Sequence, residues 1–341
     1  MKKESTACLK KLREMKDDPL NAISEKILAS KSFSITSHLR PDGDSLCTGL
    51  ALYFMGKQLG KKVAFINKDP TPYPFNYFPD MENIEIGEIS PQNFEAVIML
   101  ECASVARSGQ SKLENYFKIN IDHHHTNDCY AEINWVDPEA SAVGEMVYYL
   151  GEKLGIDFTP QISNHLYCAI ASDTGSFQFS NTKATAFEVC HKLIKHGAEP
   201  TKVSELLYNN NSPEKIILLG KVLSSLKMNK RGNIAIITMF RKDLKSLNLR
   251  EIDTEDITTL ARSIRGVEMV LFFKEIKKDT FRISLRSKGR ADAAYVSEYF
   301  GGGGHVHAAG FTAYGKYENL LEEIPKTVDK LLRRRAKKDE K

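Results

Sequence analysis

Ile119-Asn120-Ile121-Asp122-His123-His124-His125 is the stretch on which the reading of this chain turns. Apolar and polar positions alternate and run straight into one carboxylate and three imidazoles. That period of two marks a strand buried on at least one face. A short buried strand ending in metal-capable side chains describes a metal centre at the edge of a sheet. Neutral imidazole with carboxylate oxygen suits Mn, Zn or Fe(II), whereas all-oxygen sites suit Mg or Ca. A solvated histidine-rich turn competes as a reading of the triplet alone. Its company weighs against that, because His38, Asp42, Asp44, Glu101 and Asp173 all sit just after similar apolar runs.

Upstream, Ser32-Phe33-Ser34-Ile35-Thr36 alternates like a strand and delivers His38-Leu39-Arg40-Pro41-Asp42-Gly43-Asp44. Pro41 and Gly43 make this a turn, and Ser45 to Gly60 is predicted as the helix that follows. His38, Asp42 and Asp44 therefore lie between a strand end and a helix start, the crevice where open α/β sheets bind ligands. Asp also forms turns and caps helices well; beside His38 the ligand reading is preferred. Phe94 to Leu100 (FEAVIML) is nearly all apolar, the pattern of a parallel strand covered on both faces. It ends in Glu101, and Arg107 soon after is placed to reach an anion. Downstream, Ser141 to Leu154 and Pro160 to Ala171 read as helices, the second leading into Ser172-Asp173-Thr174-Gly175.

This first part thus supplies His38, Asp42, Asp44, Glu101, Asp122, His123, His124 and Asp173. That is too many acidic groups for one metal. Carboxylates packed without cations repel and raise one another's pKa values. Two divalent ions sharing a bridging carboxylate remove that cost. Such pairs clamp the attacking and leaving oxygens of a phosphoryl transfer and lower the pKa of a bridging water. The predicted chemistry is hydrolysis at phosphorus.

The remainder reads as a second unit. Ser212-Pro213-Glu214 caps a helix to Leu226, which serves as a connector (209–228) between a domain at 1–208 and one at 229–341. Strands are expected at Gly232–Phe240, Val267–Glu275 and Thr280–Arg286. Phe300 then leads into Gly301-Gly302-Gly303-Gly304-His305-Val306-His307. Consecutive glycines permit positive φ and close approach of a ligand to the backbone. A flexible linker is the alternative, though linkers are not usually followed by another apolar strand. Arg286, Ser287 and His305 supply donors for a phosphate or carboxylate. Alternating β and α units predict an α/β fold: a mostly parallel N-terminal sheet with helices on both faces, and a smaller α/β C-terminal domain.

Composition sets the limits. The chain has 341 residues, 42% of them apolar and 27% charged, with a net charge of +4. Nothing in that balance demands a polyanion partner, and no broad basic channel for long single strands is evident. The basic run Lys330–Lys341 reads as a solvated helix end or frayed tail. Six cysteines without any CxxC pairing argue against a zinc ribbon or a disulfide framework and fit a reducing cytoplasm. No leader and no membrane span are expected. A homodimer is left open.

Four ordered motifs carry a resemblance: His38-x-x-Pro41-Asp42-Gly43-Asp44, Asp122-His123-His124, Ser172-Asp173-Thr174-Gly175 and Gly301 to His305. Together they resemble the DHH phosphoesterase superfamily with its DHHA1 C-terminal domain, over about Ala22 to Leu332. The size is similar to the stand-alone NrnA-like group of oligoribonucleases and 3'-phosphoadenosine-5'-phosphate (pAp) phosphatases. The resemblance implies two Mn ions (Mg or Co as substitutes) in the N-terminal domain, and a C-terminal domain that grips the substrate across a cleft. It implies one ion on His38, Asp42 and Glu101, and another on Asp44, Glu101, His123 and Asp173, with Glu101 bridging. By the same resemblance His124 acts near the attacking water or leaving oxygen, and Asp122 orients the histidines. Arg107, Arg286, Ser287, Gly302, Gly303, Gly304 and His305 are then the substrate-binding candidates. The departure is Glu101, where many members of the family place Asp.

Short oligoribonucleotides and pAp are the expected substrates, with cyclic di-AMP or its linear product pApA as the alternative. A nucleotide sensor without turnover is the reading from a different class. Its mark would be missing ligands, and every ligand position here holds a ligand-capable residue.

Overall fold

The computed structural model describes residues 18–90, 93–249 and 254–339, without the side chains of Glu255, His305 and 336–339. The segment 1–17, read above for a leader, lies outside the described residues. The chain divides into two compact units between Asn210 and Asn211.

The first unit begins with α1 (Pro19–Ala29), β1 (Ser32–Thr36) and α2 (Gly43–Gln58), then β2 (Lys62–Asn67) and β3 (Ile84–Ile86). It continues through β4 (Ala96–Leu100), β5 (Phe117–Asp122) and β6 (Ile133–Val136). Helices α3 (Val143–Leu154), α4 (Pro160–Asp173), α5 (Ala184–Lys195) and α6 (Pro200–Tyr208) close it. The sheet is parallel throughout, in the order β3-β2-β1-β4-β5-β6. The chain works outward from β1 to β3 and then returns to place β4 on the other side of β1. That is the topological switch at which open α/β sheets bind ligands, outside the carboxyl ends of the strands.

The apolar run of β4 is explained by its two covered faces. Ala96, Ile98 and Leu100 enter the main core with Ile35, Ile119 and Ile121, under Leu46, Leu50, Met146, Leu166 and Ile170 of the helices. Val97 and Met99 enter a smaller cluster with Ala64, Ile66, Leu113 and Tyr116, contributed by β2 and the connecting segments. Local chemistry fixes where the helices start. Asp42 caps α2 by accepting from Ser45 N at 3.0 Å, so α2 starts two residues before the expected Ser45. Thr159 caps α4 with Pro160 at its first position. The aromatic loop 69–80 packs on the turn that bears Asp42: a Cβ at Gly43 would lie 2.4 Å from the Phe75 ring.

In the helix layer, buried His165 of α4 pairs through Nε2 with Asp80 at 2.9 Å. Burial opposes its charge, yet the Asp80 carboxylate wins and the imidazole is pushed up to about 9. A raised folded pKa stabilises fully below the unfolded value near 6.5 and is lost as pH rises toward 9. Asp80→Asn keeps the left-handed φ of 68° that this position needs. It is expected to lower the thermal midpoint by several degrees at pH 6, the gap closing by pH 9.5. Melts across that range check it, and a pH-independent gap would assign the effect to packing alone.

The second unit contains α7 (Pro213–Ser224), β7 (Lys227–Met228), β8 (Ile234–Met239), α8 (Arg241–Ser246), α9 (Glu255–Arg262), β9 (Met269–Lys277) and β10 (Thr280–Ser287). α10 (Ala293–Tyr299), β11 (Gly303–His305), β12 (Ala308–Tyr314) and α11 (Tyr317–Asp339) follow. Its sheet runs β11-β12-β10-β9-β8-β7, with only β8 and β9 parallel to each other. Met269, Leu271 and Phe273 of β9 face Ile324, Val328 and Leu331 of α11. Val270 and Phe272 face Ile257 and the Leu218 and Val222 side chains of α7. The predicted connector helix is therefore packed into this unit's core. The basic C-terminal run is a docked helix end through Arg335: Leu331 and Leu332 are buried, and Arg333 pairs with Asp329 at 2.7 Å.

Among the described cysteines, Cys47, Cys102, Cys168 and Cys190 are free and buried. Cys129 is disulfide-bonded. No described helix is long and apolar enough to cross a membrane.

Candidate active site

Three parallel strands deliver the site. Beyond β1 comes His38, beyond β4 comes Glu101, and β5 ends in Asp122 with His123 and His124 following. Helix α2 starts at the Asp42 cap and carries Asp44 in its first turn, while α4 ends at Asp173. The eight sequence-derived residues of this unit are thus gathered at the carboxyl ends of β1, β4 and β5.

Glu101 is the centre of the group. It is 1% exposed. Its Oε2 lies 3.6 Å from His38 Nε2, and its Oε1 lies 3.5 Å from His123 Nε2. His38 Nε2 is also 3.4 Å from Asp42 Oδ2, and His123 Nε2 is 3.9 Å from Asp173 Oδ2. Two sets of ligand atoms, His38–Asp42–Glu101 and Asp44–Glu101–His123, each lie within 4.8 Å of one another and share Glu101.

The protonation pattern of the imidazoles suits cations. His38 Nδ1 lies 2.8 Å from the Leu39 carbonyl and His123 Nδ1 lies 3.2 Å from the Ala140 carbonyl. A carbonyl can only accept, so in the neutral rings Nδ1 carries the proton and the Nε2 lone pair faces the carboxylates. Lone pairs facing carboxylate oxygens repel unless a positive charge stands between them. The titration behaviour agrees. Burial and the neighbouring Asp42 and Asp44 push the Glu101 carboxyl well above the usual range. Burial and Asp44 push Asp173 up to about 7. Burial resists the charging of His38 and His123, yet the carboxylates around them raise both. Glu101 Oε2 has no hydrogen-bond partner, and an orphaned buried carboxylate oxygen is costly. Residues and geometry fit divalent cations.

Supporting groups hold these side chains in place. Asp44 Oδ2 accepts from Val143 N at 2.6 Å, and its Oδ1 accepts from Gly144 N at 2.9 Å and Thr48 Oγ1 at 2.8 Å. The N-terminus of α3 therefore fixes this carboxylate. Gly144 permits the approach, since a Cβ there would sit 2.6 Å from Ala169. Asp122 is turned away from the cluster. Its Oδ1 accepts from His123 N (2.8 Å), His124 N (3.2 Å) and His124 Nδ1 (2.7 Å), while Oδ2 accepts from Asn127. Asn181 Nδ2 donates to Asp173 Oδ2 at 3.0 Å. Asn127 and Asn181 escaped the sequence reading, because an isolated Asn in a loop carries no periodic signal.

Residues 32–170 match the DHH family, N-terminal domain, and residues 232–334 match the DHHA1 domain. The bifunctional oligoribonuclease and PAP phosphatase NrnA of Thermus thermophilus is 30% identical over 300 residues, covering 85% of this chain and 88% of that one. The chain belongs to the DHH–DHHA1 family. The NrnA of Bacillus subtilis is 26% identical over 81% of the chain and 88% of its own length. A crystal structure of an exopolyphosphatase-related protein from Bacteroides fragilis has a TM-score of 0.84 at 23% identity, covering 93% of this chain and 97% of that one. This DHH protein is a phosphoesterase.

Its remaining candidates divide by unit. Arg107 is exposed in the 3-10 turn Val105–Ser108. Its carbonyl accepts from Leu39 N at 2.7 Å, which ties it to the loop bearing His38. In the DHHA1 domain, Arg286 of β10 pairs with Ala308 of β12, and Ala308 pairs with His305 of β11. Arg286 and His305 thus share one cross-strand row; the His305 side chain lies outside the described residues. Ser287 departs from its expected role. It is buried, and its hydroxyl is held by the Ala291 carbonyl (2.7 Å) and the Val306 carbonyl (3.0 Å), which makes it a tie between loop and hairpin.

The glycine run is an edge strand and no linker. Gly302 and Gly304 serve the fold itself, since a Cβ would lie 2.4 Å from the Gly310 oxygen or 2.5 Å from the Ala308 oxygen. Only Gly303 of these three faces open space.

Proposed function

We propose that this phosphoesterase releases 5'-mononucleotides from very short oligoribonucleotides and removes the 3' phosphate from pAp, with two Mn ions as cofactors. The observation that carries the reading is the Glu101 carboxylate shared by two ligand sets, with one buried oxygen unpartnered. Names borne by relatives that span most of the chain support the substrate class. His38, Asp42 and Glu101 would hold one ion, and Asp44, Glu101, His123 and Asp173 the other. Bound there, divalent ions supply charge for the phosphoryl oxygens and a water of lowered pKa.

The protein's own groups do the rest. Asp122 fixes Nδ1 of His124 as the protonated nitrogen and leaves Nε2 of this half-exposed ring to exchange a proton at the leaving or attacking oxygen. Arg107 offers a planar pair of donors to a phosphate near His38. Arg286, the open Gly303 backbone and His305 are assigned to the substrate's other phosphate or sugar, and Gly302 and Gly304 to shaping that edge.

Chelator-treated protein is expected to be inactive and to recover best with Mn, against Mg and Co. With Mn, AMP should form from pAp and 5'-mononucleotides from RNA dimers to pentamers, with cyclic di-AMP untouched. Product chromatography over all these substrates and pApA checks it. Preference for cyclic di-AMP or pApA would move the protein to the hydrolysis of signalling nucleotides, and binding without turnover would make it a sensor.

A further inference from the structure

We infer that Phe179 is a stacking platform for a nucleobase of the substrate, a residue outside all four motifs of the family pattern. The inference rests on the proposed nucleotide chemistry and names a contact within the same site.

Three observations meet at the turn after α4. Gly175, Ser176 and Phe177 are consecutive residues with φ of 56°, 54° and 64°. Left-handed backbone is unfavourable for a residue with a side chain, and such strain clusters at active sites and ligand clamps. The turn is held closed by Ser176 N on the Ala171 carbonyl at 2.7 Å and by Phe179 N on the Thr174 carbonyl at 3.0 Å.

The two aromatics it carries are treated oppositely. Phe177 is stacked on Phe187 with ring centroids 4.9 Å apart. Phe179 is 46% exposed, and among the described residues its ring has no aromatic partner. It is nevertheless not loose. A Cβ at Gly175 would meet its ring at 2.5 Å, so the ring lies flush against a glycine that leaves room for it.

The position is next to the chemistry. Gly175 is two residues after Asp173, and Asn181, two residues after Phe179, donates to Asp173 Oδ2. At about 3.8 Å per Cα step, the Gly175 Cα, beside which the ring lies, is within about 8 Å of the Asp173 Cα. A nucleobase is carried one sugar away from its phosphate, so a substrate with phosphorus at the carboxylates brings a base into the neighbourhood of this turn. Stacking on an aromatic face accepts every base, because every base has a π-face. An enzyme that clears RNA fragments of any sequence needs that tolerance.

The test uses F179A and F179W with pAp, a diribonucleotide and ribose 3',5'-bisphosphate, which lacks a base. F179A is expected to raise KM for the first two about tenfold, within the usual range for losing one stacked base, with kcat changed less than about twofold. F179W should restore KM, and the base-free substrate should not distinguish the variants. Separately, AMP should quench the added Trp fluorescence of F179W and leave that of Trp135 in the wild type unchanged. Unchanged KM together with absent quenching would overturn the stacking role while hydrolysis stands. An equal loss on the base-free substrate would overturn it in favour of a structural role. Quenching without turnover of any nucleotide would keep the stacking and sink the hydrolase reading.

Discussion

Replacing Glu101 by Gln is expected to remove turnover and, in chelator-treated protein, to raise the melting temperature. The two effects have one origin. Glu101 is buried between Asp42, Asp44 and Asp173, and one of its oxygens has no hydrogen-bond partner. An unsatisfied buried polar group costs about 1–3 kcal/mol and more when charged. The residue also sits at φ 56°, a conformation that persists only where the surroundings impose it. The fold therefore tolerates a carboxylate that its own stability opposes, which makes sense when a cation repays the cost. Gln keeps the shape and removes the charge. Losing the bridge should cost about 10³-fold or more in kcat, since metal polarisation is worth several kcal/mol. Without metal the gain should be about 4 °C, taking roughly 2–4 °C per kcal/mol for a unit of this size.

The sign with pH follows from the raised carboxyl. An acid whose folded pKa lies above its unfolded value costs nothing while protonated and destabilises increasingly as pH rises through the unfolded value near 4.3. The stabilisation by Glu101→Gln should therefore be present at pH 8 and vanish at pH 4. Calorimetric melts of both proteins in chelator, beside activity with saturating Mn, decide it. Lower stability in the variant at pH 8 would mean that the Glu101 carboxylate is satisfied by the protein and bridges nothing.

The strand ends were legible because a parallel sheet covered on both faces leaves long apolar runs, and the chemistry starts where each run stops. Ile98 to Glu101 and Ile119 to His124 show this directly. β3 and β6, with three and four residues, are too short to display a period, and both lie at sheet edges. The positive φ of Glu101 was not legible, since nothing in Leu100-Glu101-Cys102 announces a strained residue. The glycine run was read for its freedom, but two of its glycines answer to β12 packing at their α-carbons, a contact visible only once the hairpin is formed. Ser287 has the chemistry of a ligand residue, and only its burial shows the hydroxyl already committed.

Asp122→Asn should lower kcat by about 10²- to 10⁴-fold, the usual range for disabling a positioned proton-transfer group, while leaving both metal equivalents bound. The carboxylate is already engaged by four hydrogen-bond donors. Three donors converge on Oδ1, and Asn127 Nδ2 occupies Oδ2. An amide cannot reproduce this. If its oxygen faces His124, its NH2 confronts the Asn127 amide, and Asn127 cannot turn over without losing Cys129 N, which its own oxygen accepts at 2.8 Å. If the amide is reversed, NH2 confronts His124 Nδ1–H and the proton placement on the imidazole is lost. Either orientation puts donor against donor at a fully buried position and removes the charge that supports an imidazolium. Because the ligand atoms of Glu101 and His123 are not touched, Mn titration by calorimetry should still show two equivalents, with affinity weakened at most about 100-fold as for an outer-shell change. Loss of one equivalent would make Asp122 a ligand and return His124 to an unsupported ring. Retention of both, with the rate gone, would locate the proton transfer at His124.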